Sequence, residues 1–279
     1  MNLTHRIESA ELKFKQILEG FFVSVYNDES LPSHGLDHHR RVWNYAKDLL
    51  VSVPENINPI EPYLPEKLII ACYMHDIGMS VDAGTKHGHH SKDLCIKFLK
   101  KYHLYEGSSQ DLLSAIENHD NKEYKSISKQ YNLLTILSVA DDLDAFGFIG
   151  IYRYSEIYLT RGISMNEIGS LILKNAEQRF DNFTRTFGKI KPVFLKQSER
   201  FKILKQFFEN YNYGVKTYNF DGSNPSGYCG VMELLSNMIK ERKRLKEIYT
   251  DVENNSDDQV IKWFFTGLAS ELLVEYKVL

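Results

Sequence analysis

Glu66-Lys67-Leu68-Ile69-Ile70-Ala71-Cys72-Tyr73-Met74-His75-Asp76-Ile77-Gly78 is the most telling segment of this chain. An apolar run of helical composition ends on an imidazole and a carboxylate side by side. Neighbouring residues lie about 100° apart around a helix, so His75 and Asp76 reach one ion only where that helix ends. Gly78 stands at the expected end, because glycine favours helix termination. On either side of this segment, further residues of metal-ligand type follow in order: His38 before the dyad, then His87, His119 and Asp141 after it. Nine of the ten histidines fall between His34 and His119, a concentration that a metal site explains. Imidazole nitrogen mixed with carboxylate oxygen, without thiolate, suits a divalent transition metal (Mn, Fe, Co, Ni or Zn, one or two ions) better than Ca or Mg.

The rest of the chain reads as helix nearly throughout. Leu12, Ile17, Leu18, Phe21, Phe22 and Val25 recur at the spacing of an amphipathic helix. A second helix starts near Ser33 to Asp37, which can supply an N-cap, and runs through Val42, Tyr45, Ala46 and Leu49. Pro54, Pro59, Pro62 and Pro65 then exclude a continuous helix. Further helices are expected at 66–74, 90–102, 109–118, 132–144, 165–187, 199–211, 231–249 and 259–276. Val215 to Phe220 has the pattern of a short strand. Asn219 to Gly230, with Gly222, Pro225, Gly227 and Gly230, reads as a loop. The fold class is all-α, with residues 1–160 as the metal-binding helical core and 161–279 as a helical C-terminal extension, packed on that core or separate.

Composition narrows the function. With 279 residues, 43% of them hydrophobic and 25% charged, the chain is an ordinary globular one. A net charge of −3 gives no broad attraction to a nucleic-acid polymer or an anionic membrane. The first sixteen residues are charged throughout and lack the apolar stretch of a signal peptide. Cys72, Cys95 and Cys229 have no paired spacing, against both a disulfide framework and a thiolate zinc site. The expectation is a cytoplasmic protein.

His38-His39-Arg40-Arg41-Val42 resembles the H-x-x-R-V opening of the HD-domain metal-dependent phosphohydrolases, and Ala140-Asp141-Asp142-Leu143-Asp144-Ala145 resembles their closing A-D-x-L-D-A. With His75-Asp76 between them, the similarity covers 34–144. It implies an all-helical HD bundle whose His38, His75, Asp76 and Asp141 project from separate helices onto metal. His87 and His119 resemble the additional histidines of members that hold two ions, with His89 and His90 as competitors for the place of His87. Asp120 stands where some dinuclear relatives carry a second histidine.

The implied reaction is divalent-metal-dependent hydrolysis of a phosphate ester or anhydride, with a nucleotide or small phosphorylated metabolite as substrate. Such an ion lowers the pKa of bound water towards about 7 and polarises a phosphoryl oxygen. The candidate catalytic group is His75, Asp76, Arg41 and Asp142, with Asp120 and Asp82 as other proton acceptors. Arg41 and Asp144 can also act as partners that orient ligands. Arg153, Arg161, Lys174, Arg179 and Arg185 are cations that could meet a substrate anion, though each also suits a solvated helix face. His34 is either a cap residue or a substrate contact, while His5, His39 and His103 read as ordinary surface or core histidines. Met79 stands where the cyclic-dinucleotide phosphodiesterases carry lysine, and their G-Y-P signature is absent, as are the Glu-Asp pair of guanosine-tetraphosphate hydrolases and the His-Pro of deoxynucleotide triphosphohydrolases. Two rival readings remain: an HD-type di-iron oxygenase, and a non-catalytic regulatory or binding module stabilised by its metal.

Overall fold

The computed structural model describes residues 2–26, 32–53, 61–82, 84, 86–104, 109–121, 131–221, 224–241, 243, 245, 249–250, 252 and 256–276. They form eleven α-helices, and no strand occurs among them. These are α1 (Leu3–Val25), α2 (Leu36–Ser52), α3 (Leu64–Met74), α4 (His87–Lys101), α5 (Gln110–Asn118), α6 (Leu133–Asp144), α7 (Gly147–Thr160), α8 (Met165–Phe187), α9 (Lys191–Gly214), α10 (Gly227–Glu241) and α11 (Gln259–Tyr276). Two 3-10 turns, Pro32–His34 and Ile77–Ser80, precede α2 and follow α3. None of the described helices is long and apolar enough to cross a membrane.

The chain divides into two compact units, 1–144 with 182–194, and 145–181 with 195–279. In the first, α3 is the central helix: it touches α1, α2, α4, α5 and α6. Every residue of α3 except Glu66 is buried, which explains its unbroken apolar run and lack of an outward polar stripe. The neighbouring helices are amphipathic. α1 buries Phe14, Leu18 and Phe22, and α2 buries Val42, Trp43, Ala46 and Leu49. Glu19 of α1 ties three helices together, accepting two N–H groups from Arg40 of α2 (2.9 and 2.7 Å) and the hydroxyl of Tyr73 of α3 (3.1 Å). In the second unit Phe207, Phe208, Tyr211, Val231, Leu235, Phe264 and Leu268 lie in one apolar core.

Several local expectations change. The proposed strand is absent: Val215 N–H donates to Tyr211 O (2.8 Å) and Thr217 N–H to Gly214 O (3.2 Å), so the chain closes α9 with turns. α7 was not legible, because its residues are buried all round and carry no amphipathic period. α2 begins after Gly35, which provides no side-chain cap, with Ser33 and His34 in the preceding 3-10 turn. α9 begins at Lys191, eight residues before its expected start, and α10 begins at Gly227 in a left-handed conformation (φ 59°).

Gly78 has a different reason from the expected one. Its φ is not positive, and its place is set by packing: a Cβ there would collide with the carbonyl of His87 and lie 2.5 Å from the Ser91 amide nitrogen. Its own N–H donates to Ser91 Oγ at 2.8 Å. This close approach seats the 3-10 turn after the dyad on the start of α4.

Candidate metal centre

Five helix ends and one 3-10 turn of the first unit bring the predicted ligands together. His38 lies in the first turn of α2, His75 caps α3, Asp76 opens the 3-10 turn, His87 begins α4, His119 caps α5 and Asp141 lies in the last turn of α6. All six are buried. They form two groups that share Asp76: His38, His75, Asp76 and Asp141, and Asp76, His87 and His119, with the ligand atoms in each group within 4.8 Å of one another.

The two oxygens of Asp76 divide the work. Oδ2 lies 3.5 Å from both His38 Nε2 and His75 Nε2. Oδ1 lies 3.3 Å from His87 Nε2 and 3.0 Å from His119 Nε2. Asp141 Oδ1 completes the first group at 3.6 Å from His38 Nε2 and 3.8 Å from His75 Nε2.

The imidazole tautomers follow from their outer contacts. A carbonyl can only accept, so a ring nitrogen facing one must carry hydrogen. His75 Nδ1 meets Cys72 O (2.9 Å), His87 Nδ1 meets Gly84 O (2.8 Å) and His119 Nδ1 meets Ile116 O (2.7 Å). His38 Nδ1 donates to Asp144 Oδ2 at 2.7 Å, and Arg41 grips the same carboxylate through Nε (2.7 Å) and Nη2 (3.0 Å). In the neutral rings each Nε2 is therefore a lone pair, and all four are aimed at Asp76, with Asp141 also facing those of His38 and His75. His38 Nε2 and His75 Nε2 stand 3.2 Å apart. Two lone pairs so close repel unless a proton or a cation lies among them, so this donor set fits a divalent transition ion.

Protonation in the ion-free cluster shows the same demand for positive charge. Burial works against the charge of Asp76, yet His75, His119, His38 and His87 around it hold its carboxyl well below the usual range. Burial also opposes protonation of His75, but Asp76 and Asp141 outweigh it and raise the imidazole. His87 is raised to about 9, because the hydrogen bond and charge of Asp76 exceed the penalty of burial.

The competitors of His87 lie elsewhere: His89 is exposed and pairs with Glu117 and Asp93, and His90 is half-buried outside both groups. Asp142 is buried and accepts a hydrogen bond from Asn182 Nδ2 (2.9 Å), whose Oδ1 in turn accepts from Arg185. Asp82 is exposed and its carboxylate caps Gly84 N–H, whereas Asp120 is half-buried and its charge contributes to raising His87. His34 is buried, with Nδ1 2.9 Å from Ser33 Oγ and its ring 5.5 Å from that of His38. Of the five candidate cations, Arg185 belongs to the first unit, while Arg153, Arg161, Lys174 and Arg179 belong to the second. Sequence reasoning missed Asn182 and the carbonyl of Cys72. Neither has a signal in one sequence, since one is a lone amide in an amphipathic helix and the other is backbone.

An all-α unit that gathers buried histidines and aspartates around a His-Asp dyad into a metal-binding cluster is an HD-type domain. The HD-CE family model matches residues 22–164, just over half of the chain, and the chain belongs to that family. No curated protein and no solved structure matches it.

Proposed function

We propose that this chain is a metal-dependent phosphohydrolase that cleaves a phosphate ester or anhydride of a nucleotide or small phosphorylated metabolite. The observation that carries the proposal is the sharing of Asp76 between two buried donor groups. A pair of divalent ions held there would supply Lewis acidity towards a phosphoryl oxygen and activate water for in-line attack. The chain's own residues do the rest. His38, His75, Asp76 and Asp141 would hold one ion, and Asp76, His87 and His119 the other. Arg41 and Asp144 fix the tautomer and orientation of His38, a positioning role. Asp142, held by Asn182, is the candidate proton acceptor.

The test is elemental analysis of protein purified without chelator, with phosphate release from a panel of nucleotides and phosphate esters measured on the same sample. One or two transition-metal ions per chain with metal-dependent release support the proposal. Two irons with oxygen consumption and no phosphate release would replace it with the oxygenase reading. Metal-dependent stabilisation without turnover would replace it with a binding module.

A further inference from the structure

His39 follows the ligand His38 but points elsewhere, into the core between α2 and α3. It is completely buried, packed on the ring of Phe22 (centroids 4.6 Å) and 5.0 Å from the ring of His75. Its Nδ1 lies 3.0 Å from the carbonyl of Cys72, and because that oxygen can only accept, Nδ1 carries the hydrogen. The same carbonyl accepts His75 Nδ1 at 2.9 Å. The other ring nitrogen of His39, Nε2, is buried with no hydrogen-bond partner. An imidazole here therefore leaves one polar atom desolvated and unsatisfied, a cost that a phenyl ring of similar size would not carry. The contact that imidazole makes and phenyl cannot is the bond to Cys72 O.

That carbonyl lies in the last turn of α3, where helical carbonyls lack intrahelical partners and the chain direction is set by what binds them instead. It is also the carbonyl that fixes the tautomer of His75. Holding it from α2 as well as from His75 locks the helix end from which His75 and Asp76 are aimed.

We propose that His39 is a positioning residue of the metal centre, acting through the Cys72 carbonyl on His75. This rests on the donor cluster being a metal centre and is independent of the reaction performed there.

The experiment uses the full chain, stripped with chelator and titrated with Co(II), following affinity and the visible d–d spectrum, with thermal unfolding of the ion-free protein in parallel. His39→Phe removes the donor and keeps the volume, and His39→Asn places an amide N–H near the position of Nδ1. The expected result for His39→Phe is a Co(II) affinity lower by about 10–100-fold and an altered d–d band, the usual scale for loss of a group that orients a ligand. Its ion-free melting temperature is expected to be unchanged or higher, because the unsatisfied Nε2 is gone. His39→Asn should recover most of the affinity and the original band.

Unchanged affinity and band in His39→Phe would overturn the proposal, as would a folded His39→Asn that binds no better than the phenylalanine variant. If His39→Phe does not fold, His39→Asn decides: a wild-type Co(II) spectrum supports the proposal and a lost spectrum in folded protein overturns it. Failure of the unaltered protein to bind Co(II) would remove the metal centre itself, and this proposal with it.

Discussion

Replacing Asp144 by asparagine tests the network behind His38 with almost no change in volume. The carboxylate accepts hydrogen bonds from His38 Nδ1 and from Arg41 Nε and Nη2, and both Asp144 and Arg41 are buried. An amide offers one oxygen, so whichever way it turns, its NH2 faces a donor. With nitrogen in place of Oδ1 it opposes Arg41 Nε, and in place of Oδ2 it opposes both His38 and Arg41 Nη2. The least damaging orientation still loses one charge-assisted bond, about 1.5–3 kcal/mol. It also takes the Asp144 charge away from a buried guanidinium, and breaking a buried ion pair by removing one partner costs about 3–5 kcal/mol.

We expect a loss of about 3 kcal/mol, the lower end of that range because the amide keeps part of the hydrogen bonding. A domain's total stability is about 5–15 kcal/mol, so the variant folds. Ion affinity should fall about 10–100-fold, because His38 Nδ1 then donates to a neutral amide oxygen in place of the carboxylate that raises the basicity of its ring. Urea unfolding of the ion-free protein followed by circular dichroism reads the first quantity, and metal titration of the folded variant reads the second. Arg41→Met is the companion: it keeps the His38–Asp144 bond, so it should cost stability while disturbing ion binding less. A stability change under ~0.5 kcal/mol in Asp144→Asn, the scale of an inconsequential surface substitution, together with unchanged ion affinity, would show that this network neither holds the fold nor aims His38.

Three further outcomes follow from the same geometry. His75→Ala and Asp76→Ala should each abolish metal content and turnover, and retention of both in either variant would remove the proposed function; His119→Ala, which touches only the second group, should leave one ion per chain by elemental analysis. Gly78→Ala should lower the midpoint of thermal unfolding by an amount corresponding to about 1–3 kcal/mol of overpacking or more, because the added Cβ meets the backbone of α4 and not a flexible side-chain tip. In ion-free protein the imidazole of His87 is raised to about 9, so its contribution to stability is complete below its unfolded pKa of about 6.5 and is lost as pH rises through 9. Urea midpoints across that range should fall more steeply for the unaltered chain than for His87→Gln, and equal slopes would contradict the assignment.

The legible parts of this chain were those where one residue type has few structural alternatives. His38, His75, Asp76, His87, His119 and Asp141 stood out because histidines are concentrated in one segment and these six follow the order and motif context of HD domains, and the structure brings all six together. α8 and α11 keep their expected bounds, since both have regular apolar spacing, and Gly188 follows the end of α8. α7 had no such contrast, being buried on every side. His39 read as an ordinary surface or core histidine, and the structure places it in the core, but its bond to a backbone carbonyl on another helix is invisible without coordinates. Gly78 is expected at the helix end, but α3 ends at Met74 and Gly78 lies within the 3-10 turn that follows, because a one-dimensional pattern shows a glycine and not the helix pressed against it.

The donors come from far apart along the chain: His38 meets Asp144 across 106 residues, and Asp76 meets His119 across 43. No fragment that ends before α6 contains the four-residue group, whereas Asp76, His87 and His119 are all present by the end of α5, and the separate helices can form locally well before the ends of α2, α3 and α6 have closed on one another. An ion in the four-residue group would therefore be retained only once the ends of α2, α3 and α6 have met, and its binding energy would stabilise that assembled state over chains in which they have not. That group would thus double as a record of α2, α3 and α6 having closed on one another, so that release of its ion during gradual denaturation should mark the parting of these three helices and not the fraying of any one of them.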